Sequence, residues 1–175
     1  VSTATKNLQD QLFTRDLPYL VDLLGIPVKL ALLKGRASYV CLHRLEQACQ
    51  TLTRSDGYVF HTVHKVAEFA ARSDNGDLSE MVGLDERSQA IPLVTSTREN
   101  CLGSKCPVAK LCHVNKARRE ALNADVVVVN HHLFFADMVV RENGVGELLP
   151  TAHTVVFDEA HQLNETGTQF LGLQL

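Results

Sequence analysis

Four cysteines constrain this chain more than any other feature of its sequence. A gap of 59 residues separates Cys41 from a tight run, Cys101, Cys106 and Cys112, with the spacing C-x4-C-x5-C. Soft thiolate ligands in such a set suit an iron–sulfur cluster or zinc. A disulfide framework fits less well, because the cysteine count of five is odd and cytosolic thiols stay reduced. The pattern therefore predicts a four-thiolate metal site that ties two distant segments together.

The spacing favours iron over zinc. Structural zinc sites usually pair their ligands in C-x2–4-C knuckles, whereas the intervals here are longer and Cys41 stands alone. Pro107 follows Cys106, as a proline follows the last cysteine of the bacterial ferredoxin run. Cys49 has no near cysteine partner, and we expect it to be a buried thiol that behaves as a small hydrophobe. The alternative that all five are unrelated buried thiols stays open at this point.

Composition limits the class of protein. With 175 residues, 45% of them apolar, the chain can bury one core or two small ones. Its apolar runs fall short of the roughly 20 residues that span a bilayer, and its N-terminus does not look like a signal peptide. We therefore expect a cytosolic protein without a membrane partner, and a segment of a longer chain, because Val1 stands where a start methionine is expected.

Charge is distributed unevenly along the chain. The net charge of -3 argues against a globally basic surface that coats nucleic acid. Between Arg98 and Arg119, however, six lysines and arginines accompany the single acid Glu99. This local excess surrounds the clustered cysteines. It is as typical of a solvated helix face as of a phosphate-binding surface, and charge alone does not decide between them.

The hydrophobic pattern predicts an α/β fold. Continuous apolar runs at 30–33, 125–130 and 154–157 are typical of strands buried on both faces of a parallel sheet. Helical stretches between them indicate crossover connections. We predict helices at 6–13, 39–49, 61–72, 111–123 and 133–140, breaks at Pro18 and Pro27, a surface loop at 73–89 and a Gly-rich loop at 143–147.

Two adjacent carboxylates, Asp158 and Glu159, directly follow the predicted strand 154–157. Open α/β sheets bind ligands at the carboxyl ends of their strands. In nucleotide-hydrolysing folds the first such acid holds Mg²⁺ and the second orients or deprotonates the attacking water. An Asp-Glu pair is more often a charge pair at a helix N-terminus. The strand before this pair and His161 after it favour the catalytic interpretation.

These residues carry a resemblance to a known family. Val155–His161 resembles motif II, the DEAH box, of superfamily 2 helicases, and the cysteine quartet narrows the resemblance to the iron–sulfur DNA helicases of the XPD and DinG type. The remaining blocks agree along the chain: 2–9 resembles motif Ia, 33–41 the entry to the cluster domain and 128–133 the return to the motor domain. The YoaA branch is resembled most at 92–97, 101–104 and 136–140.

The resemblance implies the fold and the activity. The fold would be a partial RecA-like motor domain, with a parallel sheet, that carries an inserted, mainly helical [4Fe–4S] cluster domain. The implied boundaries are motor domain 1–33, cluster domain 34–122, return to the motor domain 123–163 and the start of an arch-like insertion 164–175. The implied activity is ATP-dependent 5′→3′ unwinding of single-stranded and forked DNA in repair or replication, at the bacterial nucleoid and with replication or repair proteins as partners.

The resemblance also implies site residues. A [4Fe–4S] cluster would bind Cys41, Cys101, Cys106 and Cys112. Asp158 and Glu159 would serve ATP and Mg²⁺, and His161 would couple the nucleotide site to DNA. The DNA contacts would come from motif Ia and from basic residues, namely Ser2, Thr3, Thr5, Lys6, Arg36, Lys110, Lys116, Arg118 and Arg119.

The chain also departs from the family pattern. It has no Gly-Lys dipeptide, so the phosphate-binding loop G-x-x-x-x-G-K-[ST] is absent, as is the second motor domain. We therefore expect this segment alone not to hydrolyse ATP. Ser38 stands where the branch commonly has asparagine. Two other classes remain: a zinc-stabilised nucleic-acid-binding module, which leaves the DEAH strand unexplained, and an iron–sulfur electron-transfer protein, which leaves motif Ia unexplained.

Overall fold

The structure, a computed structural model, describes residues 1–144 and 147–172. The chain divides into two compact units. The first, which we name the sheet unit, joins Val1–Lys34 to the described residues from Ala117 onward. The second, the cysteine unit, is Gly35–Lys116. The predicted cluster domain, 34–122, has nearly the same start and a later end, and its standing as a separate domain stays a prediction.

A small parallel sheet forms the centre of the sheet unit. Its strands are β1 (Ser2–Thr3), β2 (Leu30–Leu32) and β3 (Val126–Asn130), in the order β1-β3-β2. Both pairings are parallel, with Ser2 opposite Val129 and Leu30 opposite Val126. Val128 and Val129 of the central strand are buried, as expected for a β-branched run with neighbours on both sides. The predicted α/β class and the first two predicted strands are confirmed.

The third predicted strand, 154–157, is wrong as a buried strand. The segment forms one isolated parallel bridge, between Phe157 and Ser2, and two backbone hydrogen bonds flank it, both to Ser2. Val155 and Val156 are 40% and 55% exposed. In the described residues the backbone of this segment bonds Ser2 on one side, whereas a strand buried in a parallel sheet has neighbours that cover it. The segment still runs alongside β1, and this placement positions the residues that follow it.

One continuous helical run follows β1. It consists of α1 (Lys6–Gln11), a π-helical turn (Leu12–Asp16) and α2 (Leu17–Leu24). The predicted break at Pro18 is therefore wrong: proline stands in the first turn of α2, directly after the π-helical turn, where the Leu17 N–H donates to the carbonyl oxygen of Leu12 and the helix continues. The helix ends at Gly25, whose φ of 63° lies in the left-handed region.

The sheet unit closes with two helices, α7 (His131–Glu142) and α8 (Leu163–Leu171). Phe135 of α7 stacks on Phe170 of α8, with ring centroids 6.4 Å apart. The predicted loop 143–147 and the predicted start of an arch-like insertion at 164–175 both lie partly outside the described residues. None of the helices in the described part of the chain is long and apolar enough to cross a membrane.

A buried ion pair anchors the end of this unit's first segment. The side chain of Lys34 is completely buried, and its Nζ lies 2.6 Å from Oδ1 of Asp10 on α1. Gln9, also fully buried, donates through Nε2 to the carbonyl oxygen of Leu33 at 3.2 Å. A lysine in such a position needs an acid, because an uncompensated buried charge is strongly destabilising. These bonds hold the chain against α1 where it leaves the sheet unit.

The cysteine unit is built mainly from helices around its own core. They are α3 (Leu42–Thr51), α4 (Gly57–Ala70) and α5 (Ile91–Val94), while α6 (His113–Leu122) begins in this unit and ends in the other. The predicted helices at 39–49, 61–72 and 111–123 are confirmed in type, with shifted ends. The buried core residues come from all parts of the unit: Val40, Leu45, Ala48, Val63, Val66, Leu78, Ala90 and Val94.

The predicted surface loop 73–89 is partly wrong. Leu78 belongs to the core, and Asp77 and Ser88 are 3% and 7% exposed. The polar composition suggested a solvated loop, but several of its polar groups satisfy one another. Asp77, for example, accepts hydrogen bonds through Oδ1 from the backbone and the hydroxyl of Ser79. Short polar side chains that bond the local backbone build tight turns, and such turns can be buried.

Candidate functional site

Asp158 lies at the carboxyl end of the first strand of the sheet. Thr3, the last residue of β1, is fully buried, and its hydroxyl donates to Oδ2 of Asp158 at 2.8 Å. The backbone N–H of Asp158 donates to the carbonyl oxygen of Ser2, also at 2.8 Å. Two bonds thus hold this carboxylate at the sheet edge where α/β proteins bind ligands. The side chain itself is only partly buried, so its second oxygen can meet a cation or a water molecule.

Glu159 has an unusual backbone conformation. Its φ of 53° makes it the only residue other than glycine with a left-handed backbone among those that the structure describes. Such a conformation costs free energy in an L-residue and occurs often at functional sites. Oε2 of Glu159 lies 3.4 Å from Nδ1 of His161, whose side chain is 70% exposed. The three predicted motif residues are therefore adjacent, with both carboxylates accessible from solvent.

His131 is a residue of this site that sequence reasoning did not single out. It is fully buried directly after β3, and its Nδ1 lies 2.7 Å from the hydroxyl oxygen of Ser2. Burial lowers the pKa of its imidazole, while the backbone and charge of Asp158 act in the opposite direction. Its Nε2 has no hydrogen-bond partner among the described residues. The available signal was its position, since it follows a buried strand at the ligand-binding edge of the sheet.

The predicted DNA-contacting residues of the first segment separate into two pairs. Ser2 and Thr3 are fully buried, and their hydroxyls are bonded to His131 and Asp158. Thr5 and Lys6 are exposed, and Thr5 accepts a hydrogen bond from the backbone of Leu8 at 3.3 Å as the N-cap of α1. Only the second pair can meet a ligand from solvent in this arrangement.

One groove of the sheet unit is distinct from this site. It has a volume of about 860 Å³ and is lined mainly by apolar side chains, including Val127, Val129 and Phe134. Neither Asp158 nor Glu159 lines it. The exposed Val155 and Val156 do, together with the charged residues Asp125, Asp137 and Arg141. The groove is therefore a feature separate from the predicted acidic pair.

The four predicted metal ligands all lie in turns or at helix ends. Cys41 is the N-cap residue of α3, while Cys106 and Cys112 follow two short 3₁₀ turns (Gly103–Lys105 and Ala109–Leu111). All five cysteines are free thiols, and Cys101 is exposed. Within residues 1–144 and 147–172 no three metal-binding side chains are grouped closely enough to hold an ion. The structure thus does not bring the four thiols together.

The chemistry of these four residues nevertheless fits an iron–sulfur cluster. Thiolates are the ligands such clusters require, and hydrogen bonds to sulfur tune them. The backbone N–H of Gly103 already donates to Sγ of Cys101 at 3.4 Å. Cys49 differs, because it packs against the apolar core of the cysteine unit and burial raises the pKa of its thiol. A protonated thiol in an apolar setting is a poor metal ligand.

The predicted basic residues differ in exposure. Lys110 and Arg119 are exposed, whereas Arg36, Lys116 and Arg118 are partly buried. The ammonium of Lys116 donates to the carbonyl oxygen of Asp74 at 2.8 Å. Lys110 and Arg119 are therefore the members of this set best placed for phosphate contact.

The amino-acid sequence is similar to those of known helicases. The chain matches no protein-family model. It is 51% identical, over its whole length, to the ATP-dependent DNA helicases YoaA of Haemophilus influenzae and of Escherichia coli. It is 35% identical, again over its whole length, to the ATP-dependent helicase DinG of Mycobacterium tuberculosis. The chain spans 27% and 28% of the length of the two YoaA proteins. Identity of this level along the entire chain supports a fragment of a DinG/XPD-type helicase, near the YoaA branch.

Proposed function

We propose that the protein containing this chain is an ATP-dependent DNA helicase that unwinds in the 5′→3′ direction. The observation that carries the proposal is the hydrogen bond between Thr3 and Asp158, because it joins the motif Ia segment to the acidic pair. Relatives with the same segment are named ATP-dependent DNA helicases. We place the protein in the bacterial cytoplasm at the nucleoid, with replication or repair proteins as partners.

Asp158 and Glu159 have separate roles in ATP hydrolysis. Thr3 orients the carboxylate of Asp158 toward the cation site, and Glu159 accepts the proton of the attacking water. Mg²⁺, when bound with ATP, would offset the negative charge of the terminal phosphates. The two acids have different partners, because Asp158 accepts the Thr3 hydroxyl whereas Glu159 lies 3.4 Å from Nδ1 of His161, so they do not compete for one role.

Coupling between DNA and nucleotide runs through β1. Its hydroxyls reach His131 and Asp158 on the inside, and the chain then emerges at Thr5 and Lys6 on the surface. Thr3, the last residue of β1, bonds the metal-binding acid, and the chain reaches Thr5 and Lys6 two and three residues later. A DNA contact there would shift the position of Asp158, because packed interiors are stiff and transmit strain. Thr5 and Lys6 contact the DNA backbone, and Ser2 and Thr3 position the site.

The cysteine unit holds a [4Fe–4S] cluster on Cys41, Cys101, Cys106 and Cys112, and it separates the strands beside the DNA channel. The cluster would supply the cross-link that fixes the exposed turns around Cys101 and Cys106. Anaerobic purification followed by iron and sulfide analysis tests this assignment. A colourless protein that contains zinc would support the zinc-stabilised binding module. A cluster whose oxidation state cycles while DNA binding is lost would support an electron-transfer protein.

Unwinding assays on the full-length protein test the helicase proposal. We expect single-stranded DNA to stimulate ATP hydrolysis and a fork with a free 5′ tail to be unwound, while a matched fork with only a 3′ tail is not. Equal unwinding of both forks would contradict the proposed direction. Hydrolysis that is indifferent to DNA would contradict the helicase assignment itself.

The Thr3–Asp158 bond can be tested in the same assay. Thr3→Val keeps the shape of the side chain but removes the hydroxyl, and we expect ATP turnover to fall by about 10- to 100-fold, as for other groups that orient a metal ligand. Thr168→Val is the matched control, because Thr168 is exposed on α8 and its hydroxyl bonds only the local backbone. Equal turnover in the two variants would remove Thr3 from the mechanism.

Salt dependence tests the phosphate contacts. Lys110→Ala and Arg119→Ala should each lower the slope of log affinity against log salt by about 0.7 for single-stranded DNA, the effect of one lost phosphate contact. Lys65→Ala serves as the control, since this exposed lysine lies on α4, outside the basic segment. If both variants kept the wild-type affinity and slope, the basic segment would be an ordinary solvated surface.

A further inference from the structure

Residues 73–77 form a tight turn. It contacts two segments of the cysteine unit that are far apart in sequence, the one before Cys41 and the one after Cys112. The hydroxyl of Ser73 donates to Oδ1 of Asn75 at 3.0 Å and accepts the backbone N–H of Gly76 at 2.9 Å. The same Oδ1 accepts the N–H of Asp77 at 2.9 Å. These side-chain bonds fix the shape of the turn, which we name the 73–77 turn, independently of any metal.

One side of the turn holds the chain just before Cys41. The N–H of Val40 donates to the carbonyl oxygen of Gly76 at 2.8 Å, and Tyr39 forms an antiparallel bridge with Asp77. Tyr39 and Val40 are 3% and 2% exposed. The backbone on the amino-terminal side of Cys41 is therefore fixed to this turn.

The other side of the turn holds the helix that follows Cys112. The ring of His113 lies directly on Gly76, so close that a Cβ at position 76 would be 2.3 Å from Cδ2 of the histidine. One turn further along the helix, the ammonium of Lys116 donates to the carbonyl oxygen of Asp74. His113 is 8% exposed, so surrounding atoms enclose its ring and limit its room to swing aside.

Position 76 needs glycine for two separate reasons. Its φ of 65° lies in the left-handed region, which L side chains rarely adopt. The close approach of His113 is the second reason. Among the glycines with positive φ that the structure describes, Gly76 alone has any atom within 4 Å of the place a Cβ would occupy. The others carry only the backbone requirement.

We infer that the 73–77 turn positions Cys41 and Cys112 relative to one another for cluster binding, and that this positioning depends on the close contact between Gly76 and His113. Residues 73–77 are far in sequence from both cysteines, yet Gly76 bonds Val40, next to Cys41, and lies against the ring of His113, next to Cys112. Two ligands that are held in place before the metal arrives bind it with less loss of conformational freedom. The inference rests on the proposed cluster, and its test separates the two.

A pair of matched variants in the full-length protein tests the contact between Gly76 and His113. Gly76→Ala adds a methyl group against His113, whereas Gly83→Ala adds it at a φ of 78° with nothing within 4 Å. Both carry backbone strain, but only the first disturbs the contact. After anaerobic purification we expect Gly76→Ala to lose most of its iron, sulfide and visible cluster absorption. Gly83→Ala should keep wild-type amounts, and both should keep their far-ultraviolet circular dichroism.

A second substitution separates the contact from general damage. His113→Ala makes room for the added methyl group, so the double variant Gly76→Ala/His113→Ala should hold more iron than Gly76→Ala alone and about as much as His113→Ala. Recovery of this kind is not expected from a variant that is merely unfolded. A double variant with as little iron as Gly76→Ala would contradict the role of the Gly76–His113 contact. Equal iron in Gly76→Ala and Gly83→Ala would contradict it as well.

The iron content of the wild-type protein is interpreted before that of the variants. If it contains no iron, the proposed cluster is wrong, and binding of added Cd²⁺, followed by its thiolate absorption, then tests the turn alone. Weaker Cd²⁺ binding by Gly76→Ala than by Gly83→Ala would support the positioning role. Equal Cd²⁺ affinity in the two variants would overturn it.

Discussion

Replacing Glu159 with glutamine in the full-length protein is expected to stop ATP turnover while leaving nucleotide binding intact. The amide keeps the size and shape of the carboxylate but cannot accept a proton from the attacking water. Loss of a positioned general base typically costs about 10²- to 10⁴-fold in rate. Nucleotide binding should persist, because Asp158 and its bond to Thr3 are unchanged. Steady-state ATP hydrolysis and equilibrium binding of a fluorescent ATP analogue measure the two effects separately.

The control for this variant is the same change at a neighbouring acid. Glu165, in the first turn of α8, is exposed, and Glu165→Gln should leave turnover near the wild-type rate. If Glu159→Gln still hydrolysed ATP at the wild-type rate, Glu159 would not be the base. Loss of binding together with turnover would instead indicate that Glu159 holds the nucleotide or its cation.

Serine at any one of the four ligand positions is expected to remove the cluster. A hydroxyl is a much poorer ligand for iron than a thiolate. Because a metal that binds only the folded ligand set stabilises that fold, its loss should also loosen the cysteine unit. We expect Cys41→Ser, Cys101→Ser, Cys106→Ser and Cys112→Ser to lose iron and sulfide. Proteolysis within 35–116 should become faster in each.

Cys49→Ser is the matched control for all four variants. Cys49 lies on α3 and packs against the core, where burial raises the pKa of its thiol. Its replacement should leave iron content and visible absorption unchanged, although a partly buried hydroxyl beside the apolar core costs some stability. Equal iron loss in all five variants would contradict the ligand assignment, because it would show that cysteine replacement acts by unfolding the unit.

Local sequence patterns were sufficient for the elements that carry their own signal. The valine run at 126–130 needs burial on both faces, and it is the central strand of the sheet. The acidic pair was predicted to follow a buried strand; the segment before it is not buried, but Asp158 is bonded to Thr3 at the end of β1. The same logic failed at 154–157, because whether a β-branched run is buried depends on the length and number of its neighbours, which the run itself does not encode.

The sequence by itself determined the α/β class, two strands of the parallel sheet, the type of most helices and the resemblance to DinG/XPD-type helicases. Tertiary structure alone decided which polar groups meet. It placed the hydroxyls of Ser2 and Thr3 inside, against His131 and Asp158, rather than on the surface. It also placed Gly76, in the polar stretch 73–89, between Val40 and His113 and in contact with both. The reason is physical: periodicity and composition report on burial along one element, whereas hydrogen bonds and close approaches join residues far apart in sequence.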